Sequence, residues 1–192
     1  MERRPEKLEY RVWTLPNLLS MARIGMIPAF VRLYALQGDG VGAALVLLLS
    51  GVTDVADGCI ARRFGMTSNF GKMLDPAADK LTQAAVLACL IPAFPWMLVP
   101  LGLMVVKEGC AALLAVVVIH RTRQVEGADW HGKVNTALLY AMMGVHLLWD
   151  DIPARLSTLL VFVCVGMMSL SFVLYSRRGM LALREHKGQK GS

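Results

Sequence analysis

Asp54, Asp57, Asp75 and Asp79 are the residues of this chain best suited by type and spacing to do chemistry. On a helix, Asp54, Asp57, Gly58 and Ala61 fall at i, i+3, i+4 and i+7, so two carboxylates and two small residues share one face. Gly71, Asp75 and Asp79 repeat at i, i+4 and i+8 and share a face of the next helix. Both pairs adjoin the same polar connection, so antiparallel packing of the two helices would bring all four carboxylates together. Crowded carboxylates in a desolvated place repel one another and must be protonated or bound to cations. Hard oxygen donors in this number suit Mg²⁺ or Mn²⁺, ions that share their coordination with substrate phosphates. Two such ions gripping a pyrophosphate would stabilise the attacking and leaving oxygens of a phosphoryl transfer.

Two other readings compete. The aspartates could pair with Arg62, Arg63, Lys72 and Lys80 as interfacial salt bridges, or form a proton or cation pathway across a membrane. Their position at one end of the helices, beside Gly58 and Ala61, favours a bound ligand over a conduit.

The elements that carry these residues are apolar. The chain has 192 residues, 56% of them hydrophobic, and a mean hydropathy of +0.52; an ordinary soluble domain is about 45–50% apolar. Apolar runs cover 15–36, 41–60, 81–94, 96–119, 136–149 and 156–175, and about 20 residues are needed to cross the hydrocarbon core. The pattern predicts an all-α polytopic membrane protein with six transmembrane helices forming a single domain over 1–192. A juxtamembrane lead-in is expected over 1–14 and a disordered tail over 185–192. The first run begins too late, and is too long, for a secretory signal core. Pro76 suits a first helical turn, so the third helix is expected to begin close to Asp75.

Charge placement orients the chain. The net charge is +6. Arg3, Arg4, Lys7 and Arg11 precede the first run, and Arg62, Arg63, Lys72 and Lys80 surround the connection that carries the aspartates. Arg121, Arg123 and Lys133 lie between the fourth and fifth runs, and Arg177, Arg178 and Arg184 follow the sixth. The alternate connections are nearly free of Lys and Arg. The positive-inside rule places both termini and the aspartates on the cytoplasmic side. Anionic lipid explains the basic clusters without nucleic acid. Cys59, Cys89, Cys110 and Cys164 lie in apolar segments without CxxC spacing and are expected to be small buried packing residues. His120, His131, His146 and His186 show no metal-ligand spacing.

The stretch from Asp54 to Asp79 resembles the signature of the CDP-alcohol phosphotransferase (class I CDP-alcohol phosphatidyltransferase) family, D-x2-D-G-x2-A-R-x8-G-x3-D-x3-D. All eight fixed positions are met without a gap. Leu15–Arg23, LPNLLSMAR, is similar to the opening of the first helix in the bacterial phospholipid synthases. Leu74–Lys80 is similar to their L-D-P-x-A-D-K, and Gly132–Thr136 to the segment that opens their fifth helix. The resemblance implies six membrane helices, a homodimer and a bacterial inner-membrane location. It also implies displacement of CMP from a CDP-linked donor, CDP-diacylglycerol, by an acceptor hydroxyl. On this sequence it makes Asp54, Asp57 and Asp75 metal ligands, and Asp79 a ligand and the general base. Gly58, Ala61, Arg62 and Gly71 would line the CDP site.

Within the family, the chain is most like phosphatidylglycerophosphate synthases, whose acceptor is glycerol 3-phosphate. Those enzymes usually carry Arg-Glu where this chain has Lys107-Glu108, and lysine keeps the charge but loses the bidentate fork. A cationic pocket from Lys107, Arg121 or Lys133 would suit an acceptor bearing its own phosphate; Lys107 could instead be paired with an Asp or Glu elsewhere in the chain. The wording around 133–137 also resembles cardiolipin synthases, whose acceptor is phosphatidylglycerol.

Overall fold

A computed structural model describes residues 15–64, 69–122 and 130–190, with no strand among them. Six α-helices carry the described chain: α1 (Leu15–Val31), α2 (Gly40–Phe64), α3 (Asn69–Leu90), α4 (Leu98–Thr122), α5 (Trp130–Leu148) and α6 (Ala154–Lys190). They fall into two compact units that meet in sequence between Cys89 and Leu90.

In the first unit, α1 continues through one π-helical turn, Arg32–Leu36, and packs along α2. The turn between them is set by local chemistry. Gly38 has φ +67°, a left-handed conformation that disfavours a Cβ. Asp39 then caps α2, its Oδ1 accepting the Gly42 amide hydrogen at 2.8 Å. A Cβ at residue 42 would lie 2.2 Å from the Asp39 carboxylate. Gly42→Ala is therefore expected to expel the cap and cost about 1 kcal/mol, as is Asp39→Ala. The double variant should be no less stable than either single one, as a thermal-unfolding cycle would show; additive losses would mean the two residues act separately.

The second unit joins α4 to α6 and α5 to α6 around a methionine-rich core that includes Met97, Met104, Met142, Met143 and Met168. His146 is fully buried there. Its Nδ1 is 2.8 Å from the Met142 carbonyl and therefore donates to it. The Nε2, 2.9 Å from Ser157 Oγ, is left to accept the hydroxyl hydrogen. Phe94 meets the ring edge-on at 4.8 Å. Both ring nitrogens are thus engaged, Nδ1 within α5 and Nε2 across to α6.

Among the described residues, four helical stretches are long and apolar enough to cross a membrane: 17–36, 40–59, 95–113 and 154–177. Six were expected, and the two shortfalls have separate causes. The N-terminal half of α3 carries Lys72, Asp75, Asp79 and Lys80. The apolar part of α5 is short, Val134–Leu148. Outward-facing Leu45, Leu48, Val52 and Val55 on α2, and Leu159, Phe162 and Val173 on α6, form the kind of surface that only lipid or another apolar partner covers.

Three further expectations change. The third helix starts at Asn69, not near Asp75, and Pro76 sits inside it. The missing Pro76 amide costs one ladder bond, and the helix continues through it into the apolar run. Helix α6 runs to Lys190 where a disordered tail was expected from 185; Leu181, Ala182, Leu183, Arg184 and Glu185 are good helix formers. Of the cysteines, only Cys164 is buried; Cys59 is exposed and the other two are intermediate. Residues 1–14, the juxtamembrane lead-in, lie outside the described residues.

Candidate active site

Helix α1 supplies the floor of the site. Asn17, Ser20 and Arg23 recur every third residue, which winds them along one face, and all three are buried. Further along α1 the buried position is Phe30. Helix α2 runs the opposite gradient, with Ala43 and Leu47 buried near its start, then Ser50, then Asp57. On α3, Ala78, Thr82, Gln83 and Val86 are buried. The first unit thus has an apolar end and a polar end, and the aspartates occupy the polar one.

There the side chains are closely engaged. Arg23, 0% exposed, sets Nη2 2.5 Å from Asp57 Oδ2 and Nη1 2.7 Å from Asp54 Oδ1. The Nη2 contact is a hydrogen bond; the Nη1 contact is an ion pair that lacks hydrogen-bond geometry. Asp57 is 3% exposed and Asp54 41%, so one partner is buried and the other opens outward. The Ser20 hydroxyl donates to Asp75 Oδ1. Gln83 Nε2 donates to Asp79 Oδ2 at 2.8 Å, one turn along α3. Asp75 and Asp79 both lie within electrostatic reach of Asp54, and Asp75 within reach of Asp57.

The helices therefore gather the four aspartates into one electrostatic neighbourhood, with Gly58 half-buried and Gly71 buried beside them. Ala61 and Arg62 lie on the last turns of α2, and their side chains are outside the described residues. Asp54 and Asp57 pair with Arg23 of α1, a cation that spacing within the aspartate segment could not reveal; the Arg62 and Lys72 side chains, two of the partners weighed for the aspartates, lie outside the described residues. Arg23, Ser20 and Gln83 were all missed as site residues. A signal existed, because Asn17, Ser20 and Arg23 interrupt an apolar run at constant spacing, and an ionisable residue inside such a run is a functional candidate.

Of the residues expected to hold an acceptor, Lys107 lies in α4 of the second unit, with Nζ 3.5 Å from Glu108 Oε1. The Arg121 and Lys133 side chains are outside the described residues, although their backbones belong to α4 and α5.

The donor chemistry of the four carboxylates fits a hard divalent cation. Among the described residues, however, no three Asp, Glu, His or Cys side chains are gathered tightly enough to enclose one. The first pair shows why: its carboxylates are closed on Arg23 instead.

Residues 13–178 match the family model described as CDP-alcohol phosphatidyltransferase. A CDP-diacylglycerol–glycerol-3-phosphate 3-phosphatidyltransferase of Sodalis glossinidius is 32% identical over 179 residues, covering 90% of this chain and 98% of that protein. A CMP-forming cardiolipin synthase of Streptomyces coelicolor is 43% identical over 114 residues. That alignment covers 56% of this chain and only about half, 51%, of the relative. The crystal structure of Mycobacterium tuberculosis phosphatidylinositol phosphate synthase with CDP-DAG bound superposes with a TM-score of 0.62 at 17% identity, over 88% of each chain. At that identity the likeness speaks for the fold.

Proposed function

Since the chain belongs to the CDP-alcohol phosphatidyltransferase family, we propose that it transfers the phosphatidyl group of CDP-diacylglycerol to glycerol 3-phosphate, releasing CMP. The observation that carries this reading is that Asp57, Asp75 and Asp79 all lie within electrostatic reach of Asp54, at the polar end of one helical unit. The near full-length similarity to a glycerol-3-phosphate 3-phosphatidyltransferase supports the acceptor. Four apolar spans make the chain a membrane protein by length and composition. In our reading α3 and α5 cross as well, since their 22 and 19 residues reach about 33 and 28 Å at 1.5 Å per residue. We further assign it to a bacterial inner membrane as a homodimer, with both termini and the site cytoplasmic.

Members of this family generally depend on divalent metal. In this chain Asp54, Asp57, Asp75 and Asp79 would hold two such ions, Mg²⁺ or Mn²⁺. When bound, the metals supply charge neutralisation for the pyrophosphate and for the oxygen that departs with CMP. Gly58, Ala61 and Gly71 leave space for the nucleotide, and Arg62 meets its phosphate charge. Asp79 takes the proton of the acceptor hydroxyl as that oxygen bonds to the phosphorus bearing diacylglycerol and the bond from that phosphorus to CMP breaks. Gln83, donating to Asp79 Oδ2 at 2.8 Å, orients that carboxylate.

The test is CMP release by purified protein with each acceptor supplied separately. Glycerol 3-phosphate is expected to support turnover that EDTA stops and Mg²⁺ or Mn²⁺ restores. Release with phosphatidylglycerol alone would transfer the assignment to the cardiolipin synthase reading, which the similarity to the Streptomyces protein favours. No release with any acceptor would sink both.

A further inference from the structure

Arg23 is buried beside the carboxylates yet only partly satisfied. A guanidinium taken out of water is costly unless its charge is paired and its donors are bonded. Here Nη2 bonds Asp57, while Nη1 approaches Asp54 off hydrogen-bond geometry and Nε has no partner among the described residues. Ser50 Oγ is likewise buried without a hydrogen-bond partner. It lines the same small cavity as Arg23, along with Phe30 and Thr82. A guanidinium with a purely structural task would use its fork fully, as buried arginines facing carboxylates do. This one makes a single directed bond, to Asp57, while it keeps position against two carboxylates.

Those carboxylates are the pair assigned to metal above, and the present inference rests on that reading. Asp57 Oδ2 and Asp54 Oδ1, the atoms Arg23 holds, are oxygens a cation would need. Guanidinium and metal therefore compete for them. We infer that Arg23 is a built-in counter-cation: it neutralises Asp54 and Asp57 in the metal-free protein and releases them when a divalent cation enters. It acts through the carboxylates, so it is a positioning residue, and its presence should weaken metal binding. The benefit is that the metal-free membrane protein does not hold an uncompensated carboxylate pair between its helices.

The test uses purified full-length protein, with Mn²⁺ binding followed by loss of the free-ion electron paramagnetic resonance signal, and thermal unfolding with EDTA or saturating Mn²⁺. Arg23→Met keeps apolar length and removes the charge. It should bind Mn²⁺ about tenfold more tightly than wild type, within the usual range of coupling between competing ligands. It should also unfold at lower temperature in EDTA and regain most of the loss with Mn²⁺. Unchanged affinity with equal loss of stability in both conditions would make Arg23 merely structural and overturn the inference. Weaker Mn²⁺ binding would overturn it too, by making Arg23 a support of the metal-bound site. If Arg23→Met does not fold, Arg23→Lys serves, since it retains a cation but loses the fork. That variant should tighten Mn²⁺ binding by a smaller factor, and equal or weaker binding overturns the inference. Wild-type protein that binds no Mn²⁺ overturns the metal reading and this inference together, whereas bound Mn²⁺ with unchanged affinity in the variant overturns this inference alone.

Discussion

Asp79→Asn is expected to lower CMP release by about 10²–10⁴-fold, the contribution of a positioned general base, while leaving metal-dependent CDP-diacylglycerol binding partly intact. Asparagine keeps the size and one oxygen of aspartate, so it can still accept from Gln83 Nε2, which holds Asp79 Oδ2 at 2.8 Å. What it lacks is a site for the acceptor's proton at neutral pH. Binding should therefore survive better than turnover, because the remaining carboxylates still offer oxygen donors. The measurement is kcat from CMP release beside CDP-diacylglycerol binding in the presence of Mn²⁺. Normal turnover in the variant would remove Asp79 from the role of base. Equal loss of binding and turnover would make it a ligand alone.

Asp57→Leu should be more damaging, and in two separable ways. Asp57 is the buried partner of Arg23. Removing its charge leaves a guanidinium with 0% exposure paired only with Asp54, which is 41% exposed and approached off hydrogen-bond geometry. Breaking a buried ion pair from one side costs about 3–5 kcal/mol, and the residual Asp54 contact puts the expected loss near the lower figure. Metal-dependent turnover should fall to background. The companion variant Asp57→Leu/Arg23→Met separates the two effects, since replacing both buried charges by apolar groups is often nearly neutral. It should recover most of the stability and none of the activity. If stability does not return, the ion pair is not what Asp57 contributes to the fold.

The aspartates were legible because helical spacing is a local property. Positions three and four apart share a face whatever the tertiary structure, so Asp54 with Asp57, and Asp75 with Asp79, could be placed without knowing their neighbours. Arg23 was not legible in the same way, since its partner Asp57 stands 34 residues away. It was read only as part of the wording of Leu15–Arg23, although its burden inside an apolar run called for a partner. The start of α3 was misjudged because Pro76 reads equally well as a first-turn residue and as a tolerated interior one. Helical propensity in 181–185 was outweighed in the reading by the glycines and lysines that follow, and α6 carries on through both to Lys190. On the acceptor side, Lys107 lies 3.5 Å from Glu108, its neighbour in sequence, whereas the pairing weighed against a substrate role was with an Asp or Glu elsewhere in the chain.

The separation of Arg23 from Asp57 also bears on how the protein is made. Helix α1 is synthesised before α2, so its arginine enters the membrane ahead of the carboxylates that will neutralise it. At about 5–20 residues per second, the 34 positions to Asp57 take roughly 2–7 s to appear. During that interval the cation can be accommodated only by reaching toward the headgroups with its long stem, as arginines near helix ends do. The two helices are then best inserted as a hairpin, with the ion pair closing as the second leg arrives. Ribosomal pausing between them would prolong the exposure of an unpaired charge, so the tempo of translation over 24–56 becomes part of the protein's biogenesis.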